Sequence, residues 1–376
     1  MLCLDKLRIT NFRNYAEAEL KFHRRLNIIL GDNAQGKTNM LEAIAYLSMG
    51  SSFREVSEEK LRRWGEDFFY LRAELMNRQG PHTLAVGCRR RQRLWKVDNM
   101  PCRYLSEIAG LLHTVVFTPE DLELVKKGPE VRRFFLDREM IQLFRGYHVY
   151  LNNYKKALLQ RNNLLRQADF SRPPAGFDQQ LEVWEEQLAQ NGGVIIRERS
   201  RILEKLGAIS REIQGRLTDG GEELELKYTS PLAALAAAGA GPEELAAELR
   251  QAYAKGREED KRRRLTLFGP HRDDFHILIN GVDGRHFASQ GQQRTAALAL
   301  KLSELELVQQ LAGYYPLLLL DDVFSELDAK RRQALLRLML DKAQIFITAT
   351  EIAGDLRALP QEDYNLYRVS AGQVAL

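Results

Sequence analysis

The segment GDNAQGKT, Gly31 to Thr38, has the residue types and spacing needed to hold phosphate. Gly31 and Gly36 let backbone N–H groups turn inward around an anion. Lys37 supplies a point charge for β- and γ-phosphates. The Thr38 hydroxyl is suited to Mg²⁺, and a helix starting here would add its dipole. Asp32, Asn33, Ala34 and Gln35 lie between the glycines, and Asn39 follows Thr38; all are counted as nucleotide-binding positions. A second group closes LLLLDDVF. A strand buried on both faces has no reason to end in two acids unless they are used. Asp321 is placed to hold Mg²⁺ and Asp322 to orient or polarise an attacking water, so Lys37 and Asp322 are the catalytic candidates. A third group, ASQGQQRT, combines an N-cap at Ser289 with Gly291 and Gln292 at the start of a long helix, a second anion-ready end. Taken alone, this segment reads as an ordinary capped helix.

These groups need particular elements to carry them. LNIILG is a continuous apolar run that stops at Gly31, the profile of a buried strand feeding the loop, and NMLEAIAYLSMG has helical spacing after it. Before the run, two short strands flank a turn at Asn11 to Asn14. Phe69 to about Val97 reads as an antiparallel meander. Helical spacing dominates from Arg132 to Gln167, breaks at FSRPPAGF, and resumes from Asp178 to about Leu217 with Gly192-Gly193 as a weak point. Two helices joined by a break form a hairpin, which should be short because no heptad is sustained. A further helix starts at Pro242. Strand character returns at RLTLFGPHRDDFHILINGVDG, with Asn280-Gly281 as a hairpin turn. The last hundred residues alternate helix (292–312), strand (YYPLLLLDD), helix (DAKRRQALLRLML) and strand (AQIFITAT). This is an α/β chain whose helical middle is an insertion: 1–115 and 265–376 form one lobe and 116–264 the inserted lobe.

Composition narrows the classes. The chain has 376 residues, 44% hydrophobic and 28% charged, ample for a core and near the norm for soluble proteins. No apolar run is long enough to span a membrane. Charges within the first eight residues argue against a secretory leader. Cys3, Cys88 and Cys102 are odd in number and show no C-x-x-C, which fits reduced thiols in a cytosol and supports neither a disulfide framework nor zinc. A cytoplasmic, nucleoid-associated location is expected. The net charge is only +4, but cations cluster in CRRRQRLWK and KRRR. Such runs are read either as solvated faces or as phosphate contacts. No nuclease metal cluster and no helicase motif set is present.

The order phosphate loop, inserted helices, S-x-G-Q, hhhhDD and SELD resembles the ATP-binding-cassette heads of the SMC and Rad50 class. With NFRNY, GKTNMLEAI, FTPEDLELVKKGPEVRRFFLD, GPHRDD and SQGQQRT added, nearly the whole chain resembles the RecF family of bacterial recombination mediators. SMC and Rad50 chains carry long coiled coils and a hinge or zinc hook, which this length excludes. The resemblance implies an ABC-type ATPase head, a mixed sheet with a phosphate loop and an inserted helical lobe. It implies that Ser289, Gly291 and Gln292 reach the γ-phosphate on another subunit's loop, that SELD (Ser325 to Asp328) crosses the same interface, and that Arg13 approaches the nucleotide; the plainer reading of Arg13 is a turn-capping arginine. Asp322 stands where many such heads have Glu, which fits slow turnover. FITATE offers Thr348 and Thr350 where a switch histidine is common, so none is assigned. The glutamine-loop position falls near FTPEDL.

The function so implied is an ATP-dependent homodimer that clamps DNA at single-strand gap junctions and duplex, with weak, DNA-stimulated ATP hydrolysis releasing it. ATP and Mg²⁺ are the cofactors, and RecR and RecO are the family's partners in loading recombinase. Arg89, Arg90, Arg91, Arg93 and Lys96 are the candidate DNA contacts. The rivals are an ABC transporter-type ATPase subunit and a scaffold that binds nucleotide without turnover.

Overall fold

The structure is a computed structural model describing residues 2–375 apart from 55–56, 91, 103–106, 109, 145, 169 and 171–173. The chain divides into two compact units. The first comprises Met1–Glu123, Ile213–Gly221 and Gln293–Leu376, the second Leu124–Glu212 and Glu222–Gln292.

In the first unit, alternating residues form strands β1 (Cys3–Phe12) and β2 (Tyr15–Lys21), joined at Arg13-Asn14 with Asn11 and Arg13 at φ 52° and 54°. Strand β3 (Leu26–Leu30) is buried at every residue, the polar Asn27 included, and feeds the loop, as its largely apolar run predicts. Helix α1 (Lys37–Met49) follows. The expected meander is β4 (Phe68–Asn77), β5 (Gly80–Arg89) and β6 (Gln92–Val97); β7 (Met100–Cys102), past its expected end, adds one more strand, and together they extend the first hairpin into an antiparallel sheet ordered β2-β1-β4-β5-β6-β7. Strand β8 (Thr114–Phe117) enters a second sheet.

The second unit holds α2 (Pro129–Leu143), α3 (Tyr147–Gln167) and most of α4 (Phe177–Leu217). Residues 132–167 are therefore two helices, not one run. Gly146 at φ 94° breaks them, a left-handed residue the helical period on either side conceals. The hairpin is not short: α4 alone has 41 residues, about 60 Å at helical rise. Gly192-Gly193 is a packing site rather than a weak point. A Cβ on Gly193 would lie 2.3 Å from the Pro242 carbonyl, so Gly193 lets α4 meet α6 (Pro242–Arg263) backbone to backbone. Between them lie β9 (Leu224–Thr229) and α5 (Ala233–Ala237). Strand character does not begin at Arg264: 265–273 is loop, followed by β10 (Asp274–Ile279). The Asn280-Gly281 turn forms as expected, at φ 52° and 77°, and leads to β11 (Val282–Asp283) and α7 (Gly284–Phe287). Because β10 pairs along its length with β9, the second unit runs on to Gln292 rather than ending at 264.

Helix α8 (Gln290–Ala312) leads back to the first unit. Then come β12 (Leu317–Asp321), α9 (Val323–Glu326), α10 (Ala329–Met339), β13 (Ile345–Ala349), α11 (Gly354–Arg357), β14 (Tyr364–Ser370) and β15 (Gln373–Ala375). The second sheet is ordered β15-β14-β3-β13-β12-β8, parallel except at β15. Nearly all of α1 is buried, and it shares one hydrophobic core with both sheets: Met40, Leu41 and Ile44 lie with Leu7 and Leu71 on one side and Leu319 and Phe346 on the other. No helix among the described residues is long and apolar enough to cross a membrane.

Candidate nucleotide-binding site

Parallel pairing sets β3, β13 and β12 side by side, so Gly31, Thr348 and Asp321 all fall at the carboxyl edge of one sheet. This is where open α/β sheets bind ligands. The loop after β3 turns with Ala34 at φ 65° and Gly36 at φ 118°. Lys37 is buried and donates from Nζ to the Gly31 carbonyl at 2.7 Å and the Asp32 carbonyl at 3.2 Å. The Asp322 carboxylate lies 3.9 Å from the same ammonium.

The predicted metal pair meets. Thr38 Oγ1 donates to Asp321 Oδ1 at 2.7 Å. Burial pushes the Asp321 carboxyl above its ordinary value, opposed by hydrogen bonds from Thr38 and Thr348, with Asp322 raising it further. A desolvated carboxylate beside a hydroxyl is a hard-oxygen site short of positive charge, which suits Mg²⁺ arriving with phosphates. Thr348 ties the two acids together: its Oγ1 donates to Asp321 at 2.9 Å and accepts from the Asp322 N–H at 2.9 Å. Asp322 is in the left-handed region at φ 52°, which turns its side chain out of the strand line.

Several neighbours carry no motif of their own. Asn14 donates to the Gln35 carbonyl at 2.7 Å and accepts from Asn39 at 2.8 Å. Tyr15 donates to the Gly36 carbonyl at 2.9 Å, and Arg54 donates to Asn39 at 3.2 Å. Their partners are distant in sequence, so only the N-F-R-N-Y resemblance hinted at Asn14 and Tyr15. Arg13 is held by both oxygens of the fully buried Glu42 at 2.7 Å each and donates to the Lys60 carbonyl. It lines, with Asn14, Asn39, Arg62, Arg63 and the exposed Trp64, a cleft of about 760 Å³ beside the loop.

Ser289 and Gln292 form a reciprocal capping box at the start of α8. The Gln292 N–H donates to Ser289 Oγ at 3.2 Å, and the Ser289 N–H donates to Gln292 Oε1 at 2.9 Å. Gly291 lies in the turn they enclose, and Ser289 is exposed. Within the first unit, Arg294 of α8 reaches Glu326 of the SELD segment, and Asp328 caps α10. In FTPEDL, Asp121 accepts from the N–H and hydroxyl of Thr118 and lies 3.9 Å from the buried Lys301.

The candidate DNA-contact residues have different surroundings. Arg89 pairs with Asp67; Arg93 pairs with Glu58 and donates to the Gly50 carbonyl. Arg90 turns at φ 54° into the cleft beside the loop, and Arg91 lies outside the described residues. Lys96 falls on a register line of the antiparallel sheet, Lys96–Ala85–Arg72–Arg8, which sets three cations on one face. The KRRR run at 261–264 is partly neutralised: Lys261 meets Asp178 and Glu258, and Arg262 and Arg263 meet Glu259.

Comparison with known proteins gives the same lineage. Residues 3–353 match the RecF/RecN/SMC N terminal domain. The chain is 39% identical to the DNA replication and repair protein RecF of Halothermothrix orenii, over 99% of this chain and 98% of that one. It is 38% identical to RecF of Bacillus subtilis, over 98% of each. Among solved structures it superimposes on the recombination mediator protein RecF-ATPrS in the RecFOR pathway with a TM-score of 0.87, at 36% identity and covering 99% and 97% of the two chains. The Smc head domain of Pyrococcus furiosus shares the fold, with a TM-score of 0.55 at 15% identity, over 100% of this chain and 95% of that one. A full-length match in both sequence and architecture places this chain in the RecF family of DNA replication and repair proteins.

Proposed function

We propose that the chain is an ATP-dependent DNA-binding ATPase that closes as a dimer over DNA at gap junctions and opens after slow hydrolysis. The observation that carries this reading is the hydrogen-bonded line Thr38–Asp321–Thr348–Asp322, with Lys37 beside it. It brings a phosphate loop, a hard-oxygen metal pair and a second carboxylate to one sheet edge. Thr38 and Asp321 would hold Mg²⁺, which supplies charge neutralisation on the phosphates. Lys37 leaves the loop carbonyls for the β- and γ-phosphate oxygens. Asp322 accepts a hydrogen bond from the water that attacks the γ-phosphorus. The bond to the β-phosphate oxygen breaks, giving ADP and inorganic phosphate. Aspartate is one methylene shorter than glutamate, so it reaches that water less closely, in keeping with slow turnover.

The capping box at Ser289 presents a helix N-terminus and a hydroxyl from an exposed site. These suit the γ-phosphate of a nucleotide on a second copy. A nucleotide contacted by both copies favours the dimer through its differential affinity, and ADP lacks the shared group. RecFOR is named for the structural relative, and RecR and RecO are carried over as partners from that relationship. The test is sedimentation and gapped-duplex binding with ATP, with ADP, and with Lys37→Arg. ATP is expected to give dimers and at least about tenfold tighter DNA binding than ADP, with the gain lost in Lys37→Arg. Equal binding in all three would overturn the clamp.

A further inference from the structure

The last turn of the chain, between β14 and β15, plays no part in the chemistry above, yet it is bonded to the phosphate loop. The Ala371 N–H donates to Gln35 Oε1 at 2.6 Å, and the Gly372 N–H donates to the Gln35 carbonyl at 3.1 Å. Asn14 donates to that same carbonyl from the β1–β2 turn at 2.7 Å. Ala371 and Gly372 sit at φ 48° and 77° between the paired residues Ser370 and Gln373, as in a type I′ hairpin turn. The fit leaves no room for a side chain. A Cβ on Gly372 would lie 2.4 Å from the Asn14 carbonyl oxygen, and a Cβ on Gly31 would lie 2.4 Å from the Val369 carbonyl oxygen.

We infer that this C-terminal turn is a positioning strap for nucleotide binding, acting through Gln35. The inference rests on the reading of Gly31 to Thr38 as the nucleotide site. The Gln35 carbonyl shares a planar trans peptide with the Gly36 N–H. Two donors hold that carbonyl, so the N–H on the opposite side of the plane is aimed away from them before any phosphate arrives. Tyr15 acts likewise on the next peptide, holding the Gly36 carbonyl and so orienting the Lys37 N–H. A loop ordered in advance does not lose that entropy on binding. Without the Gly372 contact, the 35–36 peptide keeps only Asn14 and gains freedom to rotate. The strap also explains why the sequence places Gly at 372 after an alanine that already tolerates a left-handed φ: the second position faces backbone, and only hydrogen fits.

The test uses the full chain and fluorescent N-methylanthraniloyl derivatives of ATP and ADP. Gly372→Val is expected to weaken both nucleotides about tenfold, the loss of roughly one hydrogen bond's worth of positioning. Ala371→Gly keeps the N–H and relieves the positive φ, so it should bind within about twofold of the parent. Hydrogen exchange gives a local readout that a merely structural turn would not move. By reciprocity, nucleotide should slow exchange at the amides of Ala371 and Gly372 in the parent chain. Unchanged affinity in Gly372→Val, or exchange at 371–372 indifferent to nucleotide, overturns the strap. If Gly372→Val does not fold, the exchange measurement on the parent decides alone. A parent chain that binds neither nucleotide overturns the site itself, and the strap with it; a parent that binds, with an unaffected Gly372→Val, overturns only the strap.

Discussion

Asp321 carries two demands that conflict until ligand arrives. Its carboxyl is buried, and burial raises it above the ordinary carboxylate value despite the two threonine hydroxyls. A folded-state value above the unfolded one means that ionisation costs the folded chain stability. The cost is absent below the unfolded value near pH ~4, grows as pH rises, and is complete above the raised value. Asn at this position keeps an oxygen for both hydroxyls and removes the charge. Asp321→Asn is therefore expected to stabilise the nucleotide-free chain at pH 8 by about 1 kcal/mol, and not at pH 3, while ATP hydrolysis falls by about 10²-fold or more. Thermal unfolding at the two pH values, with a phosphate-release assay, checks both halves. A destabilised variant at pH 8 would show that the hydroxyls prefer the charge enough to outweigh burial. Thr348 and Asn14 belong to the same scale, and neither announces itself in the sequence. Each acts through hydrogen bonds to residues between 21 and 28 positions away, so residue type alone carried no signal.

Elements whose burial follows from their own periodicity were legible in the sequence. The largely apolar runs of β3 and β12 read as strands buried on both faces, and the meander β4–β6 read from its alternation. What failed were features decided by contact. Gly146 splits α2 from α3 without disturbing the apolar period, and β10 joins β9 across the helices and loops of residues 230–273. Gly192-Gly193 reads locally as helix-breaking, but Gly193 is required by α6. The two glycines are not equivalent. A Cβ at 192 would meet the Leu249 Cδ1 methyl at 2.9 Å, a side chain that can move. At 193 it would meet the Pro242 carbonyl at 2.3 Å and the Ala246 nitrogen at 3.0 Å, which cannot. Alanine gains about 1 kcal/mol of helix propensity over glycine, so Gly192→Ala should come out near neutral. Gly193→Ala must separate two helix backbones and should cost about 1–3 kcal/mol net. Urea unfolding of the two variants measures the difference; equal midpoints would mean that α4 and α6 part without penalty.

At the scale of the whole molecule the question is which cations hold DNA, and the salt dependence of binding can separate the two candidates. The arginine-rich run near residue 90 was the natural choice from sequence, because clustering is all that sequence displays. Folding commits Arg89 to Asp67 and Arg93 to Glu58, so a phosphate would have to displace a carboxylate to use either. Sheet register instead assembles Lys96, Arg72 and Arg8 from three separated strands onto one face, with Glu17 drawing on Arg8 at its end. Each phosphate contact contributes about 0.9 to the slope of log affinity against log salt on duplex DNA. In the proposed dimer every side chain occurs twice, so one substitution removes two contacts and about 1.8 from that slope. Arg72→Ala and Lys96→Ala are each expected to flatten the slope by that amount in the presence of ATP. Arg89→Ala and Arg93→Ala should change it by less than about half as much, since each frees a carboxylate rather than a phosphate. The slopes come from gapped-duplex titrations between 50 and 200 mM salt, roughly the range over which counterion release dominates. If the larger change follows Arg89 or Arg93, the carboxylates yield to DNA and the grip lies on the loop. A change of about 0.9 for Arg72→Ala would place one subunit, not two, on the duplex at a time.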